Sequence, residues 1–217
     1  RREDSLDDRS CIRSYNLVQR MRTETNLPVK VRRIVLTGFM GAGKSTIGAL
    51  LAQKLGWRFL DTDAAIEARA GVSIAQLFEQ RGEAAFRALE TEAIRAHAQT
   101  EHLILALGGG AVEAEPTRDA LAQLDHACIV FLDAPLELMV ARCIAQPDAA
   151  ERPVLADREG LARRLAARLP HYREAHLTIA TSQLTPQAVA DHILEALSDR
   201  CVVPPRAMRE KEGVATR

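Results

Sequence analysis

The sequence predicts an α/β domain whose core is a doubly wound parallel sheet covered by helices on both faces. Three observations predict it. Short apolar runs alternate with longer segments of helical periodicity between Arg32 and Leu197. Those runs are continuously apolar rather than alternating, as a strand buried on both faces requires. The first run passes through a glycine-rich turn directly into a helix, the order that a phosphate-binding loop needs.

Arg32–Thr37 reads as the first strand, and Lys44–Leu55 as a helix with Ile47, Leu50, Leu51 and Leu55 on one face. Trp57–Leu60 is a second, shorter strand. Ala64–Ala70 and Ser73–Gln80 are helices divided by Gly71, and Glu83–Ala98 is a further helical stretch. His102–Leu107 is a strand that stops at Gly108–Gly110. A helix from about Pro116 to Leu124 precedes the strand His126–Leu132. Leu136–Ala145 is helical, and the polar, proline-containing Gln146–Gly160 reads as a loop. Leu161–Leu169 is a helix and Leu177–Ala180 the fifth strand. Pro186–Leu197 is the last helix, with proline at its permitted first turn.

At 217 residues the chain suits one domain. Its 29 basic and 29 acidic residues cancel, so no overall field favours nucleic acid or an anionic membrane surface. Cys11, Cys128, Cys143 and Cys201 form no C-x-x-C pair, which predicts neither a zinc site nor a disulfide framework. That usage fits a reducing, cytoplasmic setting. No apolar run approaches the length of a membrane-spanning helix. Residues 1–30 are rich in arginine, yet Glu3, Asp4, Asp7, Asp8 and Glu24 argue against a transit peptide. They are expected to form a disordered extension, and residues 199–217 a disordered tail, leaving 31–198 as the folded domain.

Gly38-Phe-Met-Gly-Ala-Gly-Lys-Ser45 matches the pattern G-x-x-x-x-G-K-[ST]. Its glycines let backbone N–H groups turn inward around phosphates, and the helix N-terminus adds partial positive charge. Lys44 can reach the β- and γ-phosphates, and the Ser45 hydroxyl can ligate a divalent ion. The motif alone does not separate kinases from GTPases or motor ATPases. No N-K-x-D guanine signature is present, and the chain is short for an ATPase machine.

Further motifs narrow the chemistry. Asp61-Thr62-Asp63 places two carboxylates just past the second strand, where the strand ends of an open α/β sheet line the ligand crevice. One could hold Mg²⁺ through water while the other orients or deprotonates a hydroxyl. Either could equally cap the following helix. In Phe86-Arg87-Ala-Leu-Glu90 the arginine and glutamate share a helix face. They suit a surface ion pair, or an arginine forking onto a substrate carboxylate and steadied by Glu90. Gly108-Gly109-Gly110 is costly in chain entropy, and close approach of backbone to a ligand would account for the third glycine. Arg152-Pro-Val-Leu155 sits in the polar loop, where an arginine could close over a triphosphate or simply be solvated. Arg168, with Tyr172 four residues on, adds a basic site at a helix end.

In this order the motifs resemble those of shikimate kinases, from about Arg32 to Leu197. Val154 departs from the leucine usual in that family's lid motif, and Gln146–Glu151 is slightly long before the lid arginine. The resemblance implies a five-stranded P-loop fold of the nucleoside-monophosphate-kinase type with a mobile lid at about 146–160. It implies phosphorylation of the 3-hydroxyl of shikimate by ATP, on the route to chorismate and the aromatic amino acids. Asp63 would bind the ring hydroxyls and act as base or orienter. Arg87 and Arg168 would clamp the carboxylate, with Glu90 steadying Arg87 and Gly109 offering its N–H. Gly41, Ala42, Gly43, Lys44, Ser45 and Thr46 would hold the ATP phosphates. Arg152 would join Lys44 on the transferring group, Arg142 and Pro186 would flank adenine, and Ser45 and Asp61 would hold Mg²⁺. The partners implied are shikimate and ATP, with no nucleic acid, no membrane and a monomeric chain. A gluconate kinase of similar fold, or a non-catalytic nucleotide-binding module, are the rival readings.

Overall fold

The structure, a computed structural model, describes residues 31–146, 155 and 157–198. The strands are β1 (Arg33–Thr37), β2 (Arg58–Asp61), β3 (Leu103–Ala106), β4 (Ala127–Asp133) and β5 (Leu177–Ala180). The helices are α1 (Lys44–Leu55), α2 (Thr62–Ala70), α3 (Ile74–Ala96), α4 (Glu115–Ala122), α5 (Leu136–Ile144), α6 (Arg158–Tyr172) and α7 (Pro186–Ser198), with a 3₁₀ turn at Ala111–Glu113.

The five strands form one sheet in the order β2-β3-β1-β4-β5, every pair parallel. The chain builds one side of β1 with β2 and β3, then crosses to the other side for β4 and β5. Connections leaving the carboxyl ends near β1 therefore diverge and leave a crevice there. Continuous apolarity has the predicted cause. All of β1 is buried, with Ile34, Val35 and Leu36 fully enclosed between helix layers. A smaller cluster of Ile66, Leu77 and Phe86 locks α2 against α3. The Phe86 ring packs on Phe78 with centroids 4.9 Å apart, which fixes the rotation of α3 and so the direction of Arg87.

Most elements fall where expected, with boundaries shifted by a few residues. The two helices expected at Ser73–Gln80 and Glu83–Ala98 are there within α3, divided by the non-helical Gly82 at φ 76°, ψ 167°. Strand β2 extends to Asp61, so the first carboxylate ends the strand and caps α2. Helix α6 begins at Arg158 inside the expected loop, because the Asp157 side chain accepts the Gly160 N–H at 2.8 Å. It also continues past Pro170, held by the full burial of Tyr172. Residues 1–30 and 199–217, most of the expected lid and Arg152 with it, lie outside the described residues.

Candidate active site

The turn after β1 is shaped for phosphates. Gly41 has φ 74°, and a Cβ there would lie 2.1 Å from the Met139 carbonyl oxygen, so only glycine lets the loop press onto α5. Helix α1 then opens at Lys44 with Gly43 as its N-cap and no side chain capping it. Its first N–H groups and the positive end of its dipole are left for an anion. Lys44 Nζ donates to the carbonyls of Gly38 (2.8 Å) and Phe39 (3.0 Å), curled over the loop. Burial lowers the Lys44 pKa, while Asp63 and Asp61 favour its charged form.

The two carboxylate oxygens of Asp61 have different partners. Oδ1 accepts the backbone N–H groups of Asp63 (3.1 Å) and Ala64 (3.4 Å), capping α2. Oδ2 accepts the Ser45 hydroxyl at 2.6 Å, so the two expected metal-holding groups already touch. Between the carboxylates, the buried Thr62 hydroxyl accepts the Gly108 N–H at 2.9 Å. That bond ties the end of β2 to the glycine run.

The glycines make room for the site's own side chains. A Cβ on Gly108 would fall 2.3 Å from Glu90 Oε1 and 2.5 Å from Asp63 Oδ1. One on Gly110 would fall 2.2 Å from Arg87 Nη2. Two of the three glycines thus make room for protein side chains, at Gly108 and Gly110. Gly109 has ordinary space, lines the cavity, and accepts a hydrogen bond from the Tyr172 hydroxyl. Tyr172 in turn stacks on Phe131 with ring centroids 5.1 Å apart.

Around that run charged side chains converge from α3, α6 and the 3₁₀ turn. Glu90 is fully buried, and its Oε2 accepts from Arg87 Nη1 at 2.5 Å. Arg87 also meets Glu83 at 2.8 Å. From α6, Arg168 Nη2 lies 2.9 Å from Glu113 Oε2, and its guanidinium sits over the Phe39 ring. Among the described residues, Asp63 Oδ1, Glu90 Oε1 and Arg168 Nε are buried polar atoms without a hydrogen-bond partner. Burial normally exacts such partners, so these atoms mark where a polar ligand belongs. Burial raises the Asp63 pKa, helped by Asp61 and opposed by Lys44 and Arg87. Burial pushes Glu90 up to about 7 against the pull of Arg87.

A cavity of about 480 Å³ joins these parts. Asp63, Gly109, Lys44, Ser45, Arg142 and Pro186 all line it. Arg142 Nη2 donates to the Thr181 carbonyl (2.9 Å) and Nη1 to the Thr181 hydroxyl (3.1 Å), which fixes the plane of its guanidinium. Arg87, Glu90 and Arg168 stand behind the glycine run rather than among the cavity's lining residues. Thr62, Thr181 and Glu113 escaped the sequence reading. None carries a local signal, since each acts through partners distant in the chain.

The profile described as shikimate kinase matches residues 40–198, the span that holds every element of this cavity. The chain belongs to the shikimate kinase family. A shikimate kinase of Geobacter sulfurreducens is 43% identical over 171 residues, which cover 77% of this chain and 92% of that one. One from Parasynechococcus marenigrum is 41% identical over 169 residues, covering 76% and 86%. A solved shikimate kinase from Acinetobacter baumannii, in complex with shikimate, is 38% identical with a TM-score of 0.70, covering 77% of this chain and 93% of its own. One from Aquifex aeolicus gives 0.64 at 30% identity, covering 85% and 99%. The sheet is thus the five-stranded P-loop fold of shikimate kinases, and the chain is a kinase. The D-x-D, F-R-x-x-E and G-G-G motifs meet around the glycine run, where Asp63 and Glu90 pack on Gly108 and Arg87 packs on Gly110. Among the described residues no helix is long and apolar enough to cross a membrane.

Proposed function

We propose that the chain transfers the γ-phosphoryl group of ATP to the 3-hydroxyl of shikimate, giving ADP and shikimate 3-phosphate for aromatic amino-acid biosynthesis. One observation carries this reading. Asp63 lines one cavity with Lys44 and Ser45, its partnerless Oδ1 packs against Gly108, and Arg87 and Arg168 converge on Glu113 beside the same glycine run. A small ring with hydroxyls at one end and a carboxylate at the other spans such a site.

Arg87 and Arg168 bind the carboxylate through charge-assisted hydrogen bonds, with the Gly109 N–H beside them. Glu90, buried behind Arg87, holds that guanidinium in place. Asp63 accepts a hydrogen bond from the 3-hydroxyl and orients its oxygen toward the γ-phosphorus. Burial has raised its affinity for a proton, which suits it to receive that proton as the new P–O bond forms and the bond to the β-phosphate oxygen breaks. Lys44 leaves the Gly38 and Phe39 carbonyls to stabilise the transferring charge, and Arg152 joins it. Gly41, Ala42, Gly43 and Thr46 contribute loop and helix N–H groups. Arg142 and Pro186 hold adenine between their faces. Positioning and charge neutralisation carry most of such a transfer.

Ser45 Oγ and Asp61 Oδ2 offer two hard oxygen donors 2.6 Å apart at the mouth of the phosphate loop. That set fits Mg²⁺, which takes one or two protein oxygens and completes its shell with phosphates and water. When bound, the ion neutralises charge on the β- and γ-phosphates. The chain would act as a cytoplasmic monomer on small molecules alone.

ADP release with Mg·ATP, with and without shikimate, tests the proposal. Strong stimulation by shikimate and none by gluconate is expected. Stimulation by gluconate instead would favour the sugar-acid kinase reading, and none by either would favour a non-catalytic nucleotide-binding module.

A further inference from the structure

Arg87 and Arg168, assigned above to the substrate carboxylate, already share a carboxylate that belongs to the protein. Glu113 Oε2 lies 2.9 Å from Arg168 Nη2 and 3.7 Å from Arg87 Nη2. Its backbone is fixed. The Glu113 N–H donates to the Gly110 carbonyl at 3.0 Å, and its own carbonyl accepts from Arg118 Nη1 at 2.8 Å. Its side chain is 36% exposed, whereas that of Glu90 is 0% exposed. The two acids on Arg87 therefore differ in kind. Glu90 grips one arginine from inside the protein, and Glu113 touches both arginines from the solvent edge.

We infer that Glu113 is a place-holder, a carboxylate that competes with the substrate's own for Arg87 and Arg168 and thereby lowers shikimate affinity. Its position reproduces the chemistry of the ligand, one carboxylate oxygen between two guanidinium groups. Its exposure gives the side chain a path into water when the substrate arrives. The same side chain returns when product leaves, so the two converging cations are neutralised between turnovers. The product keeps the carboxylate and meets the same competitor, which favours its release. The inference rests on the reading of Arg87 and Arg168 as the carboxylate clamp.

The test is Glu113→Gln, which keeps length and an acceptor oxygen but removes the charge. Shikimate Kd by calorimetry and KM by ADP release would be measured beside Arg168→Ala. For Glu113→Gln, both constants for shikimate should fall by about three- to tenfold, the range of a partly exposed ion pair. KM for ATP should stay constant, and the methyl ester of shikimate should gain no affinity. A shikimate Kd that is unchanged or higher in Glu113→Gln, with affinity lost in Arg168→Ala, would sink the place-holder alone and make Glu113 a support of the arginines. An unchanged Kd in Arg168→Ala would remove the clamp, and the place-holder with it.

Discussion

Gly108→Ala tests how closely the acceptor site is built. The new methyl would lie 2.3 Å from Glu90 Oε1 and 2.5 Å from Asp63 Oδ1, roughly an ångström inside ordinary van der Waals contact for each. Gly108 is not among the residues at positive φ, so alanine fits its backbone and the effect is steric. Glu90 is fully buried and gripped by Arg87, which leaves Asp63 as the side chain that yields. A catalytic group displaced by about 1 Å costs on the order of a hundredfold in rate. Overpacking a tight interior adds about 1–3 kcal/mol of lost stability. ADP release at saturating shikimate and Mg·ATP measures the first, thermal unfolding the second, and calorimetry with Mg·ATP serves as the control. Turnover about a hundredfold lower with ATP affinity kept is expected. Turnover within twofold of the parent would refute the reasoning that Gly108 exists to admit these carboxylates.

Lys44→Met and Asp63→Asn should each lower turnover by about two to four orders of magnitude, while the melting temperature stays near that of the parent. Parent-like turnover in either removes the role assigned to that residue. Arg87→Lys should raise KM for shikimate about tenfold and leave KM for ATP alone, because lysine keeps the charge but loses the fork. Equal changes in both constants count against the clamp. Burial raises the Glu90 pKa from 4.5 to about 7, so its stabilising contribution is full below about 4.5 and is lost as pH rises through about 7. Glu90→Gln should therefore gain stability relative to the parent between pH 5 and 8, by about 3 kcal/mol at most. A pH-independent difference in unfolding free energy contradicts that assignment. His176 has the opposite sign. Its Nδ1 accepts the Ile129 N–H at 2.9 Å and burial lowers its pKa, so its contribution is present above about 6.5 and fades as pH falls through the lower folded value. His176→Ala should lose about 1 kcal/mol at neutral pH and show a flatter acid limb. An unchanged acid limb refutes it.

What was legible in the sequence was what is local. The phosphate loop, its strand and α1 are contiguous, and their signals survive because each residue acts within its own turn of chain. Arg87 and Glu90 share a helix face by spacing alone, but their burial and direction depend on Phe86 packing against Phe78. Sequence could offer Asp61 as either cap or metal partner. The structure shows one of its oxygens capping α2 and the other accepting the Ser45 hydroxyl. Glu113, Thr62 and Thr181 stayed hidden because each acts on a residue at least thirty-nine positions away. The boundary of α6 was misplaced for a plainer reason. Asp157 and the polar turn that follows look like a loop until the aspartate is seen to cap the helix.

The central claim is one of orientation, with the carboxylate of shikimate on Arg87 and Arg168 and its 3-hydroxyl at Asp63 beside the transferring phosphoryl group. The position of the phosphate in the product tests this most directly, read by ³¹P–¹H correlation NMR after turnover of shikimate with Mg·ATP. A single product phosphorylated at the 3-hydroxyl is the expected result. Phosphate at another ring hydroxyl, or a mixture of positions, would contradict the account.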